Sequence, residues 1–173
     1  MNKIIQFENC DIMSDKFVLL TICYIFAVDM FSKACEYAIR ATIYIAQQSL
    51  NSHRVSLKAI SKEIDSPSAF TAKILQQLSR NKIITSVMGP TGGFEVSEKQ
   101  LREIKLYHIV DAIDGDKIYN GCGLGLKACN ASKPCPVHNQ FARIRNDLQQ
   151  MLKKTNLHDL ASDVGIGMTF LRR

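Results

Sequence analysis

The chain has 173 residues, of which 46% are hydrophobic and 22% are charged, which is enough apolar length for one folded domain with appended elements. Its net charge of +6 favours a polyanionic partner such as nucleic acid, although charge alone leaves an acidic membrane surface open. Its six cysteines are unevenly placed, which argues against a secreted disulfide scaffold. We therefore predict a cytoplasmic protein in a reducing compartment.

Residues 1–29 form an N-terminal extension with a distinct composition. Residues 17–28 (FVLLTICYIFAV) are apolar throughout, but twelve residues are too few to span a bilayer. No small-residue cleavage site follows them, so we expect neither a signal peptide nor a membrane anchor. The extension is either an additional packed helix or the result of a start codon assigned upstream of the true start at Met30.

Two helices are predicted next. Residues 32–48 place apolar side chains around nearly the whole helix circumference, so this helix must be buried. Residues 56–63 predict a second, shorter helix, because Leu57, Ile60 and Ile64 recur at spacings of three and four.

A third helix is predicted from Ser66 to Arg80. Ser66 can cap it, and Pro67 suits the first helical position because it lacks an N–H. Its inner stripe is apolar and its outer side is small and polar, which a recognition helix in the DNA major groove requires. The outer side comprises Ser68, Ala69, Ala72, Lys73 and Gln76. The alternative is an ordinary solvated helix face.

A short β-hairpin follows the third helix. Residues 83–87 are β-like, GPTGG (89–93) is a turn, and residues 94–96 can pair back as a wing. The order of helix, turn, helix and wing is typical of DNA-binding proteins. We predict a mainly α fold, with a winged helix-turn-helix domain over residues 30–115 and a long dimerisation helix.

Three cysteines and a histidine lie within seventeen residues of a Gly- and Pro-rich loop, which we assign to residues 116–138. They are Cys122, Cys129, Cys135 and His138. Soft thiolates on such a loop can converge on one metal centre. A structural zinc site is the alternative, although its cysteines usually arrive as pairs separated by two to four residues, and here the gaps are six and five.

The other chemistry of these thiols is also constrained by the sequence. No recognisable base and orienting group accompanies any one thiol, so we do not expect an enzyme. A thiol–disulfide switch without metal stays open as an alternative. Cys35 lies on the nearly all-apolar first helix, where a free cysteine is usually a core residue.

Residues 139–173 comprise a dimerisation helix and a tail. Phe141, Ile144, Leu148 and Met151 recur at three, four and three, which is the narrow seam of a helix that packs on a matching helix. We predict a homodimer on a pseudo-palindromic operator, with its recognition helices about 34 Å apart. The alternative is that the stripe packs within its own domain. Residues 155–173 show no pattern that predicts a structure.

Four segments, taken in order, resemble the Rrf-two family of bacterial winged-helix transcription regulators, of the IscR and NsrR type. They are FSKACEYAIRATIYIA (31–46), SPSAFTAKILQQLSRNKIITSVMGPTGGF (66–94), EIKLYHIVDAIDG (103–115) and the cysteine loop. The resemblance covers residues 30 to about 154. It implies a DNA-binding regulator that holds an iron–sulfur cluster, either [2Fe–2S] or [4Fe–4S].

The resemblance also implies a set of metal ligands. Three loop cysteines of the family match Cys122, Cys129 and Cys135. The fourth ligand varies within the family: it is an acidic residue reaching from the other subunit, matched here by Glu36, or a histidine matched by His138. The pattern here is C-x6-C-x5-C, and its first gap is one residue longer than is usual in the family, which leaves the cluster type open.

The expected DNA-contacting residues lie on the third helix and the wing. They are Ser68, Phe70, Thr71, Lys73, Gln76, Thr91 and Gly92. Met88 departs from the basic residue that the family often has before the wing. The resulting hypothesis is a regulator that senses redox, nitric oxide or iron–sulfur status, with cluster changes altering the angle between two DNA-binding heads. The alternatives are a cluster-free thiol-switch regulator, a zinc-binding structural variant, and a metal-carrying or redox adaptor that no longer binds DNA.

Overall fold

A computed structural model describes residues 30–122, 124–127 and 129–171. The predictions for residues 1–29 lie outside this range. The described elements are α1 (Lys33–Leu50), α2 (Leu57–Glu63), α3 (Ser68–Arg80), β1 (Thr85–Val87), β2 (Gly93–Glu95), α4 (Glu98–Glu103), α5 (Leu106–Asp114), α6 (Lys117–Asn120), α7 (His138–Lys154) and α8 (Leu157–Gly165). The predicted mainly α fold is confirmed. None of the helices in the described ranges is both long enough and apolar enough to pass through a membrane.

Helix α1 is the centre of the fold, as its all-round apolar sequence predicts. Ala38, Ala41 and Ile45 on it are fully buried, and α3, α5 and α8 pack around it. The helix begins after Ser32, whose hydroxyl accepts a hydrogen bond from the Cys35 amide at 3.1 Å. This cap satisfies one of the amide groups that a helix start leaves unpaired.

The junction between α2 and α3 differs from the prediction by one position. Ser66 does not cap α3, because its amide bonds to the Ser61 carbonyl of α2 at 3.0 Å and its buried hydroxyl has no partner among the described residues. Pro67 occupies the N-cap position in an extended conformation, and α3 begins at Ser68. The chain reverses at Asp65, whose φ of 51° turns Ser66 back towards α2.

The predicted wing is present. Strands β1 and β2 are antiparallel, with Ser86 opposite Phe94. Val55, in the loop before α2, pairs with Phe94 through two backbone hydrogen bonds of 3.0 and 2.9 Å. Gly93 has a φ of +154°, and a Cβ atom on it would lie 2.8 Å from the Val55 carbonyl oxygen. Only glycine therefore allows this close approach.

The C-terminal segment, for which the sequence predicted nothing, forms helix α8. Leu157 and Ala161 are buried against the main core, and the Leu157 amide bonds to the Ile104 carbonyl at 3.0 Å. Helix α7 begins at His138, the last residue of the loop that the sequence predicted. A second, smaller core joins α7 to α1, α5 and α6, and its buried members are Cys35, Val110, Tyr119 and Leu152.

Candidate functional site

The outer side of α3 is exposed and polar, as the sequence indicated. Ser68, Lys73 and Gln76 are exposed there, whereas the apolar stripe of the same helix is buried. The Ser68 hydroxyl lies 3.0 Å from the hydroxyl of Ser61 on α2. The cationic amine of Lys73 and the amide of Gln76 are therefore available to phosphate oxygens and base edges.

Thr71 does not belong to this outer side. It is fully buried, and its hydroxyl donates to the Pro67 carbonyl at 3.1 Å. The reason is helical spacing: Thr71 lies three and four residues before Ile74 and Leu75, which face the core. Its expected contact with DNA is thus corrected, and Thr71 is a core residue.

Phe70 lies at the edge of the same surface and connects it to α1. Its side chain is 37% exposed, and its ring meets the edge of the Tyr37 ring with 5.9 Å between centroids. The Arg40 guanidinium carbon lies 4.7 Å from the Tyr37 ring centroid, a cation–π distance. Sequence reasoning did not select Arg40, although its spacing of three residues from Tyr37 places both on one helix face.

The wing presents Thr91 at its turn, where the Gly92 amide bonds to the Gly89 carbonyl at 2.9 Å. The wing is fixed to the loop before α2 by an ion pair of 2.6 Å between Arg54 and Glu95. Met88 is 96% exposed beside the turn, and because its side chain is neutral it adds no charge to a DNA contact. Together with the Val55–Phe94 backbone pairing, this ion pair holds the wing to the loop before α2 at two points.

The structure places one loop cysteine against His138 and Arg145 of α7. The Cys129 sulfur lies 3.3 Å from Nδ1 of His138, and the Cys135 thiol lies near enough to Cys122 to be one of the causes that lower the pKa of Cys122. The His138 amide bonds to the Cys135 carbonyl at 3.0 Å, which joins the loop to the first turn of α7. All three cysteines are half-buried.

Backbone amides surround the Cys122 sulfur. The N–H groups of Leu124 and, to a smaller extent, Leu126 bond to it and lower the pKa of the Cys122 thiol below its ordinary value. The hydrogen bond with Cys135 and the positive charge of Arg145 act in the same direction. Hydrogen bonds from backbone amides to sulfur also tune iron–sulfur clusters, so this environment fits a cluster ligand.

Arg145 is a member of this site that sequence reasoning missed. Its Nη2 atom donates to the Cys129 sulfur at 3.5 Å. The available signal was its position seven residues after His138, since two helical turns return to the same face.

The donor chemistry fits an iron–sulfur cluster, because three soft sulfur ligands and one imidazole lie on or next to a single loop. Within the described ranges, however, no three ligand side chains are arranged to hold one metal ion. Glu36 forms an ion pair with Lys33 at 2.9 Å on the first turn of α1.

Cys35 is a core residue, as expected from its helix. It is fully buried, and burial, followed by the nearby carboxylate of Asp114, raises the pKa of its thiol to about 12. The Asp114 carboxylate also accepts a hydrogen bond from the Ser32 amide at 2.9 Å. A neutral, buried thiol is chemically inert, so among the cysteines that the structure describes the reactive sulfurs are those of the loop.

Relatives of known class share this architecture. An HTH-type transcriptional regulator of Aquifex aeolicus is 32% identical over 134 residues, which cover 76% of this chain and 90% of the relative. The HTH-type transcriptional regulator IscR of Pectobacterium atrosepticum is 24% identical, covering 74% and 76% of the two chains.

Solved structures show the same fold. CymR, the global cysteine regulator of B. subtilis, superposes with a TM-score of 0.64 at 21% identity, over 76% of this chain and 95% of CymR. IscR of T. potens gives a TM-score of 0.61 at 17% identity, over 80% and 90% of the two chains.

Residues 31–163 match the model of one family, Rrf2, described as an iron-dependent transcriptional regulator. This match covers most of the chain and includes the recognition helix, the wing and the cysteine loop. The chain therefore belongs to the Rrf2 family of winged-helix transcription regulators, and it is a DNA-binding regulator rather than an enzyme.

Proposed function

We propose that this regulator binds DNA according to the state of an iron–sulfur cluster held by Cys122, Cys129 and Cys135. The observation that carries the proposal is the placement of three half-buried thiols on one loop, with the Cys129 sulfur 3.3 Å from the His138 ring. His138 is the preferred fourth ligand, because its ring nitrogen lies 3.3 Å from Cys129. Glu36, supplied by a partner subunit, is the alternative.

Different residues of the chain would have separate roles at a bound cluster. When bound, the cluster would supply a centre that reacts with oxidants or nitric oxide, and the loop sulfurs would hold it. The amides of Leu124 and Leu126 would stabilise negative charge on the Cys122 sulfur through their hydrogen bonds. The direct tie from His138 to Cys135 would pass a change in the loop to the start of α7.

The DNA-reading surface would consist of α3 and the wing. Its members are Ser68, Phe70, Lys73, Gln76, Thr91 and Gly92. Two such surfaces fit one operator in a homodimer, which would form in the cytoplasm through the apolar seam of α7. In support of this seam, Ile144 is 60% and Met151 47% exposed on the single chain. Exposed apolar side chains in a stripe are typical of a surface that a second helix covers.

The cluster assignment is tested by anaerobic isolation of the full chain, followed by absorption and Mössbauer spectra and iron analysis. Cys129→Ala should abolish the visible chromophore while circular dichroism and dimer formation stay unchanged. Cys35→Ala is the matched control, because it removes a cysteine that is buried away from the loop. An unchanged iron-to-protein ratio in Cys129→Ala would refute the ligand assignment.

The DNA-reading surface is tested by titrating operator DNA at several salt concentrations. Lys73→Ala should weaken binding and reduce the slope of log K against log salt by about one, if the amine contacts a phosphate. Lys99→Ala is the control, since Lys99 is exposed on α4, outside the proposed surface. Equal slopes for both variants would exclude α3 as the reader.

A metal-free thiol switch is the second candidate. It is favoured by the lowered pKa of Cys122, to which the Cys135 thiol on the same loop contributes. The Cys122 thiolate would attack a peroxide, break the O–O bond and form a sulfenic acid with release of one water. The Cys135 thiol would then displace a second water and close a disulfide. A colourless, iron-free protein whose DNA affinity changes with oxidation would establish this function. A colourless protein with bound zinc would establish a structural site instead.

A further inference from the structure

Helix α7 carries two different stripes. His138, Arg145 and Leu152 are each seven residues apart, so they lie along one line of the helix. His138 and Arg145 both contact the Cys129 sulfur, at 3.3 and 3.5 Å, and Leu152 is 1% exposed in the second core. This inner stripe faces the chain's own loop and core. In the seam beside it Ile144 and Met151 are exposed, whereas Leu148 packs against the second core.

Of the three residues in the inner stripe, Arg145 alone carries a permanent charge. Its side chain is half-buried, and it forms no ion pair with a carboxylate in the part of the chain that the structure describes. A partly buried guanidinium needs an acceptor, because leaving its N–H groups unpaired away from water is costly. The acceptor it has is the Cys129 sulfur, and its charge also acts on Cys122.

We propose that Arg145 is a positioning residue that ties Cys129 to α7 and supplies a permanent positive charge next to the loop sulfurs. The part of this proposal that concerns a bound cluster rests on the proposed function. The tie itself is a contact of the metal-free chain. Because α7 also carries the seam, this contact links the position of the cysteine loop to the surface that a second subunit would cover.

The first test uses anaerobically loaded full-length protein and follows loss of the visible absorbance during challenge with an iron chelator. Arg145→Gln should lose the cluster about ten-fold faster or more, the usual cost of removing a group that supports a metal ligand. Its reduction potential should become more negative, since a positive charge near the cluster favours the reduced state. The rate of cluster loss in Arg145→Lys should lie between those of the parent protein and Arg145→Gln, because lysine keeps the positive charge but lacks the planar guanidinium group.

Arg143→Gln is the matched control, because Arg143 lies on the same helix, is exposed and makes no described contact with the loop. It should retain the parent rate and potential. Equal rates and potentials for Arg145→Gln and the parent protein would overturn the role of Arg145 at the cluster.

The second test is independent of metal and separates this proposal from the proposed function. Amide hydrogen exchange of the reduced, metal-free protein should be faster in the cysteine loop and the first turn of α7 in Arg145→Gln than in the parent or Arg143→Gln. If the parent binds no iron, the proposed function fails while faster exchange still supports the tie. Unchanged exchange would overturn the tie. Should Arg145→Gln not fold, the same comparison with Arg145→Lys decides between these outcomes.

Discussion

Replacing Leu152 by alanine tests the orientation of α7 on the second core. Leu152 is 1% exposed and packs with Cys35, Val110 and Tyr119. Truncating a fully buried leucine costs about 2–5 kcal/mol, from lost apolar burial and from the cavity that remains. This core has few buried members to fill the space, so we expect about 3 kcal/mol. For a chain of this size that corresponds to a fall in Tm of roughly 6–12 °C.

The matched control is Ile144→Ala on the same helix. Ile144 is 60% exposed, so its truncation should change the stability of the single chain by less than about 1 kcal/mol. It should instead weaken self-association through the seam. Thermal unfolding by circular dichroism over a dilution series, together with sedimentation velocity, separates the two effects, since dimer formation makes Tm depend on concentration. Equal losses of Tm in the two variants at the highest dilution would refute the assigned orientation.

Four further results are expected. In metal-free protein at pH 8, iodoacetamide should modify Cys122, whose pKa is lowered, and spare Cys35, whose pKa is raised to about 12; peptide mass spectrometry showing the reverse would contradict both environments. The folded state keeps the Cys35 thiol protonated, so the contribution of this group to stability is complete below the unfolded pKa of 9.0 and is lost as the pH rises towards 12. Unfolding curves measured at alkaline pH should show this loss in the parent protein and not in Cys35→Ala. Gly93→Ala should cost about 1–3 kcal/mol and weaken DNA binding, because it forces a Cβ against Val55 at a strained φ; an unchanged Tm would show that the wing adapts. Asp114→Asn should destabilise the chain by about 1 kcal/mol by weakening the charged acceptor at the start of α1, and urea unfolding measures this directly.

Much of the fold could be predicted because local signals and tertiary packing agree. The all-round apolar sequence of α1 requires burial, and the GPTGG turn specifies the wing. Helix α8 was missed because its sequence is short and it gains stability from contacts with α1. Two usable signals were present. The apolar residues Leu157, Leu160, Ala161 and Val164 recur at helical spacing, and Asn156 caps α8 by accepting a hydrogen bond from the Asp159 amide. Ser66 misled the prediction, because a hydrogen-bonding cap depends on the backbone direction at Asp65.

The candidate site was predictable as a set of residues, but not as a geometry. Spacing selects Cys122, Cys129 and Cys135, while the path of the loop decides that the Cys129 sulfur lies 3.3 Å from the His138 ring. Arg145 acquires a role only when the first residue of α7 is known, because a helix shifted by one residue would rotate its side chain by about 100°. The burial of Thr71 was predictable from its spacing to the apolar stripe of α3, so the expected contact of Thr71 with DNA was an avoidable error.

The route from the loop to the DNA-reading surface runs through direct contacts. Leu152 of α7 packs in the same core as Cys35 of α1, and two residues along α1 the Tyr37 ring contacts Phe70 of α3. Continuity of contacts alone does not transmit a signal, because some element must adopt two positions whose balance the ligand changes. Helix α7 is the element suited to this role. Its first residue bonds to the cysteine loop, and both of its stripes lie on one continuous helix, so a displacement imposed by the loop would move the seam as well. Two heads joined through that seam would then change their separation on DNA without any change within α3 itself.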